Sequence, residues 1–260
     1  IELQSISAEI TDLRGAQRGH VALTGGTTRV RLTKGAEDAL DQEIESVMLN
    51  AALDRGRLDL NFALDGGAAG QVDLDAVVAD LRDQDSTVDG TLALEWRDLE
   101  GLSLLSPDVG SVAGTVRANA KFGGTLAEPE VEGRGELTDG VIEIPPWALT
   151  IDDIVATAVT VDGTLLEYSG VGLIAGDALH LTGSTELDPA RNWPTRLKIT
   201  GEELEIVRRA DAQIWASPDL DADVALPDIA VRGTVHIPRA VIALEQLPAQ
   251  AVRPSPDAIV

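Results

Sequence analysis

Alternation with a period of two most limits what this chain can fold into. Leu58, Leu60, Phe62 and Leu64 alternate with Arg57, Asp59, Asn61 and Ala63. Leu92, Leu94 and Trp96 alternate with Thr91, Ala93 and Glu95. Val112, Gly114, Val116, Ala118, Ala120 and Phe122 alternate with Ala113, Thr115, Arg117, Asn119 and Lys121. Leu179 and Leu181 oppose His180 and Thr182, and Leu197 and Ile199 repeat the spacing. Leu220, Ala222 and Val224 oppose Asp219, Asp221 and Asp223; Val231, Gly233, Val235 and Ile237 oppose Arg232, Thr234 and His236. Successive side chains of a strand point to opposite faces, so every run predicts a strand with one apolar and one wet face. The fold class is all-β, with few short helices.

Turn chemistry separates the runs: Gly25-Gly26, Gly66-Gly67, Asp89-Gly90, Gly123-Gly124, Asp139-Gly140, Asp162-Gly163, Gly176-Asp177 and Pro227-Asp228. The sharpest signal is Asp139-Gly140. It lies between the face shared by Val131, Gly133, Gly135 and Leu137 and the face shared by Ile142 and Ile144, and it predicts a hairpin. Glu37–Val47, Val77–Arg82 and Leu99–Leu105 are the candidates for a short helix or turn. Gly201–Arg209 reads equally as strand or helix.

Strands at this spacing over 260 residues number about 15. Open sheets beyond about 10 strands curl, split or flatten, which leaves a barrel, a sandwich or an elongated curled sheet. Hydrophobic residues make up 44% of the chain, yet aromatics are only 3%. The apolar face also keeps returning to Gly114, Ala118, Ala120, Gly133, Gly135, Gly183, Ala222 and Gly233. A sandwich core is filled to a density of about 0.74. A face alternating large aliphatic with tiny residues leans instead toward a curled sheet lining a groove. The same glycines read equally well as marks of sharp curvature or bulges.

The charge and the motifs exclude more than they select. With 44 acidic against 20 basic residues the net charge is −24, which argues against nucleic acid, since phosphates are neutralised by Lys and Arg. It argues equally against electrostatic docking on anionic headgroups. There is no cysteine, hence no disulfide framework or thiolate chemistry, and no apolar run reaches the ~18 residues of a membrane span. The chain opens at Ile1 within strand-like sequence and reads as a piece of a longer protein. His20, His180 and His236 are far apart and read as wet-face residues. Asp219, Asp221 and Asp223 imitate the start of a calcium loop, but Val224 and Ala230 stand where such a loop needs Gly and Glu. Gly170–Ala175 matches a dinucleotide fingerprint in letters only, because a turn and another strand follow in place of a helix. No residue set supports an enzyme, a metal site or a cofactor.

An ordered series of landmarks resembles the conserved C-terminal region of the TamB family, the translocation and assembly module proteins of Gram-negative envelopes. The series runs from Gly124-Thr125-Leu126, Pro129, Val131-Glu132-Gly133 and Leu137–Gly140 to Ile151–Ile154 and Gly183-Ser184-Thr185. It continues through Ser217–Leu220, Val231–Val235 and Ile237–Ala240 to Leu247-Pro248, Ala251-Val252 and Ser255-Pro256-Asp257. Pro145-Pro146-Trp147 departs from it, standing where a glycine-bearing turn is expected. The resemblance covers roughly the second half, which sets an expected division into residues 1–122, with weaker landmarks, and 123–260, the two expected to form one continuous sheet.

The resemblance implies a curled, taco-like sheet (a repeating β-groove) with an apolar inner face, in a periplasmic segment of an inner-membrane-anchored protein. It implies phospholipid acyl chains as cargo and the outer-membrane barrel protein TamA as partner. Joined to the alternation, it assigns the groove to Leu58, Leu60, Phe62, Leu64, Leu92, Leu94, Val116, Phe122, Gly133, Gly135, Ile142, Ile144, Leu179, Leu181, Leu197, Ile199, Leu220, Val224, Val231, Val235 and Ile237. A second reading is a scaffold that receives nascent outer-membrane protein strands, and a third is a spacer with a packed sandwich core.

Overall fold

The structure, a computed structural model, describes residues 5–11, 18–34, 38–105, 108–209, 211–225 and 228–243. The strands are β1 (Ser5–Thr11), β2 (Arg18–Gly25), β3 (Thr28–Lys34), β4 (Asp38–Ile44), β5 (Ser46–Asp54) and β6 (Arg57–Asp65). Next come β7 (Gly70–Val78), β8 (Val88–Trp96), β9 (Val112–Gly124), β10 (Pro129–Ile144) and β11 (Leu149–Val161). The last are β12 (Leu165–Ile174), β13 (Asp177–Glu186), β14 (Thr195–Gly201), β15 (Leu204–Arg208), β16 (Ala212–Ala225) and β17 (Asp228–Ile242). Among the described residues the only helical pieces are 3₁₀ turns at Glu100–Leu105, Pro145–Trp147 and Pro189–Arg191.

Fifteen strands form one antiparallel sheet that does not close into a barrel. Its order follows the chain except at two places. Hairpin β3–β4 forms its own small sheet while β2 pairs directly with β5. Further on, β14 and β15 lie one after the other along the same edge of β16, whose opposite edge carries β17. Pro218, which has no N–H to donate, occupies the gap between the two partners. There the Ser217 hydroxyl accepts a hydrogen bond from the Glu203 amide at 2.9 Å. At about 4.8 Å per strand the sheet extends on the order of 60 Å across its strands.

Register carries the alternation from strand to strand. One row runs Leu49, Phe62, Leu74, Leu92, Ala120, Gly133. The next runs Val47, Leu64, Val72, Leu94, Ala118, Gly135, Ala158, Tyr168, Gly183, Leu197, Ala222, Val231. Directly paired residues of an antiparallel ladder share a face, so these rows build one apolar surface. The other surface is wet. It carries Arg117 against Glu95 at 3.1 Å, Lys198 against Asp219 at 2.7 Å and Arg232 against Asp223 at 3.0 Å.

Two turn expectations are corrected. Asp139-Gly140 makes no hairpin: β10 runs through it for 16 residues, with register shifts against β9 and β11. Asp139 sits at φ 53° and Gly140 packs against Ile154, where a Cβ would approach to 2.7 Å. The same αL tolerance that makes Asp-Gly a hairpin turn makes it a bulge when both neighbouring strands continue. Asp89-Gly90 likewise lies inside β8, paired with Val77 and Ala76. Asp162-Gly163 does turn, at φ 50° and 69°, and Arg55-Gly56 turns at φ 53° and 101°. Of the helix or turn candidates, Glu37–Val47 is mostly strand, in β4 and the start of β5, Val77–Arg82 leaves β7 after Val78 for a turn, and Leu99–Leu105 becomes a 3₁₀ turn at Glu100–Leu105. Gly201–Arg209 resolves into β15. Pro145-Pro146-Trp147 forms a 3₁₀ turn closed by Ala148 at φ 50°, whose amide donates to the Pro145 carbonyl at 3.0 Å. Pro227 and the landmarks from Leu247 onward lie outside the described residues.

Candidate functional site: an apolar trough

The groove residues named from sequence all fall on the apolar face. Leu58, Leu60, Phe62 and Leu64 pair with Val78, Ala76, Leu74 and Val72, and these pair in turn with Val88, Gly90, Leu92 and Leu94. Across β9 and β10, Val116 meets Leu137 and Phe122 meets Val131. Farther on, Leu181 meets Ile199, and Ile199 meets Leu220. Val224 meets Thr195, while Val235 on β17 lies opposite Pro218. These side chains are half-buried, except that Val231, Val235 and Ile237 on the edge strand β17 are 60%, 50% and 55% exposed. A sandwich would bury most of them completely. Among the described residues the face is therefore an uncovered apolar surface over much of its length.

The sequence list was incomplete. Val47, Leu49, Val72, Leu74, Trp96, Leu137 and Tyr168 share the face by register. The alternation of Val72, Leu74 and Ala76 against Gln71, Asp73 and Asp75 was the available signal for β7.

The small residues divide into two kinds. At Gly183 a Cβ would stand 2.5 Å from the Tyr168 ring, so the absent side chain is the seat of an aromatic neighbour. At Gly133 a Cβ would meet Ala120 and the Asn119 carbonyl at 2.9 Å. The Gly133 amide donates to the Thr160 hydroxyl at 2.7 Å where the β10–β11 ladder has not yet begun. Gly135 is different: its nearest neighbours would be 3.7 Å away, ordinary contact distance. Curvature and open floor are both present, at different glycines.

One part of the face is closed. Leu149, Ile174 and Leu204 form a buried cluster, with Leu204 fully buried, and Ile144, Ile151, Leu179 and Ile206 pack around it. Two sequence-named groove residues, Ile144 and Leu179, thus belong to a packed plug. It forms because β14 ends at Gly201, and Glu202-Glu203, with Glu203 at φ 49°, fold the chain back. Leu204 then lies over Gly201, and β15 lies against β11, β12 and β13. On the opposite face, Glu205 pairs with Trp215, and Trp215 with Arg239, whose guanidinium stacks 3.6 Å from the ring centroid. Arg208 binds the Glu205 carboxylate and holds its pKa below the ordinary value.

The strand ends form two rims. The first carries Arg18 paired with Asp54 at 2.8 Å, Arg82 with Asp80 at 2.6 Å, and Arg191 with Asp188 at 2.7 Å. Hydrogen bonds from Arg82 lower the Asp80 pKa to about 2. The second carries Arg97 with Glu95 at 2.6 Å and Arg209 with Asp211 at 3.1 Å. Trp193 and Trp147 sit exposed on the first and second rim, respectively. Asp219, Asp221 and Asp223 line the wet face of β16 and are engaged by Lys198 and Arg232. No group of three metal-type ligands occurs among the described residues, and none of their helices is long and apolar enough to cross a membrane.

Comparison with known proteins is consistent with this architecture. The family model described as the TamB N-terminal domain matches residues 6–137, and the TamB C-terminal domain model matches residues 172–258. Between the two matches the sheet runs on without a break through β10, β11 and β12. A curated relative, the translocation and assembly module subunit TamB of Haemophilus influenzae, is 25% identical over 219 residues. That alignment covers 84% of this chain but 17% of the relative, so the chain spans less than a fifth of that protein. No solved structure matches. With one model matching half of the sequence and a second following it in order, the chain belongs to the TamB family.

Proposed function

We propose that this chain is a periplasmic segment of an envelope-spanning protein, and that its trough shields phospholipid acyl chains moving between the inner and outer membranes. The observation that carries the reading is the apolar face that runs from β5 to β14, half-buried except where the β15 plug covers it. Two acyl chains of about 16 carbons lose on the order of 25 kcal/mol of unfavourable hydration when covered, at ~0.8 kcal/mol per CH₂. An open, unspecific surface supplies that cover without chemistry and without fixing a headgroup. Family membership supports a role in outer-membrane biogenesis beside a barrel partner, TamA, and the relative's name describes it as a subunit of a module.

A second reading is favoured by the edge strand β17, which among the described residues pairs only with β16 and exposes Val231, Val235, Ile237 and Ile242. An unpaired strand edge accepts a further strand, so nascent outer-membrane segments are the alternative cargo. A photocrosslinking amino acid at Val116 and, separately, at Leu181 discriminates between them in cells. Acyl adducts at both positions are expected. Peptide adducts without lipid would replace the conduit reading with the scaffold reading.

A further inference from the structure

We infer that the trough, read as an acyl conduit, selects for lipids whose headgroup is zwitterionic and carries an ammonium, against lipids with a net-anionic headgroup. A lipid lying in an open trough projects its headgroup past the strand ends, so the rims meet it. On the first rim Arg18 and Arg55 share the Asp54 carboxylate, Arg82 is held by Asp80, and Arg191 is held by both Asp188 and Glu186. On the second rim Arg97 and Arg209 are likewise engaged.

Exposed carboxylates stand beside these pairs: Glu128, Glu130 and Asp162 on the first rim, and Asp177, Glu202 and Glu203 on the second. A phosphodiester arriving here meets guanidinium groups already neutralised and carboxylates that repel it. A headgroup ammonium meets acceptors. Because the interaction is between solvent-exposed charges, it is screened within about 8 Å at physiological ionic strength and weakens further with added salt.

The inference rests on the acyl reading above, and one experiment separates the two. The 260-residue chain is incubated with mixed micelles holding equal amounts of dioleoyl phosphatidylethanolamine and dioleoyl phosphatidylglycerol. It is then re-purified, and the bound lipid is extracted and quantified by mass spectrometry. At about 20 mM salt the ethanolamine lipid should be enriched roughly threefold over its input, falling toward no preference near 0.5 M salt. The quadruple variant Asp54→Asn, Asp80→Asn, Glu186→Gln, Asp188→Asn, checked for native β-sheet by circular dichroism, frees Arg18, Arg82 and Arg191 and should bring the ratio to one or below. Equal loading by the unmodified chain at low salt, enrichment of the glycerol lipid, or a preference indifferent to salt would overturn the inference while leaving the conduit standing. Loading of neither lipid would overturn the conduit reading itself.

Discussion

The stretch from β5 to β9 and the end at β11, β12 and β15 use the same alternation to opposite effect. In the first, Leu64, Val72, Leu94 and Ala118 lie side by side and stay half-buried, with no second layer over them among the described residues. In the second, one five-residue strand folds back and Leu204, Leu149 and Ile174 become buried. The lesson is that an apolar face is a core only where a second layer covers it. The trough is therefore a place where stability has been left ungained, and the plug is where the sheet gains ordinary packing.

Truncation tests that contrast most directly. Leu204→Ala should cost about 3 kcal/mol in urea unfolding, the range for a fully buried leucine that leaves a cavity. Leu94→Ala, on a half-exposed face, should cost about 1 kcal/mol, because only part of its area is removed from water on folding. Equal costs would mean that the trough is covered and the comparison false.

Glycine substitution sharpens it further. Gly183→Ala places a methyl into the Tyr168 ring and should destabilise by about 1–3 kcal/mol through overpacking. Gly135→Ala places a methyl at ordinary contact distance from Ala118 and Ala158 and should stay within about 0.5 kcal/mol of the unmodified chain, read from the same denaturation curves. A large loss at Gly135 would show that its floor position is occupied by neighbours.

The smallest effect is acid dependence at the plug. Glu205 has a folded pKa depressed below its ordinary 4.5 by Arg208, so its contribution is full above that value and is lost as pH falls through the depressed one. The unmodified chain should lose stability over that acid window, and Glu205→Gln should flatten this part of the curve. On the trough rim, Asp80 should titrate near 2 in a carboxyl NMR titration without shifting the global midpoint at neutral pH. An Asp80 pKa near 4 would remove the rim pairing with Arg82 from the description.

Much of this was legible because β-alternation is a local property. Phe62 and Leu94 announce their face through their immediate neighbours, and pairing register then has little freedom, since a one-residue slip would turn every apolar side chain outward. Leu204 was not legible. In GEELEIVRR it carries the same pattern as any strand or short helix, and its burial depends on Leu149 and Ile174, distant in the chain, over which the turn at Glu202-Glu203 folds β15. Asp139-Gly140 misled for a related reason: the dipeptide specifies a left-handed backbone, while the strands on either side decide whether that conformation reverses the chain or merely kinks it.

By itself, then, the sequence determined the class, the apolar face and the acidic, motif-free exterior, since each follows from neighbouring residues and summed charge. Tertiary structure alone decided which stretches of that face stay open, where β15 closes it and which glycines are floor. Those outcomes depend on how the whole sheet curls, and curl accumulates from the twist and bulges of many strands.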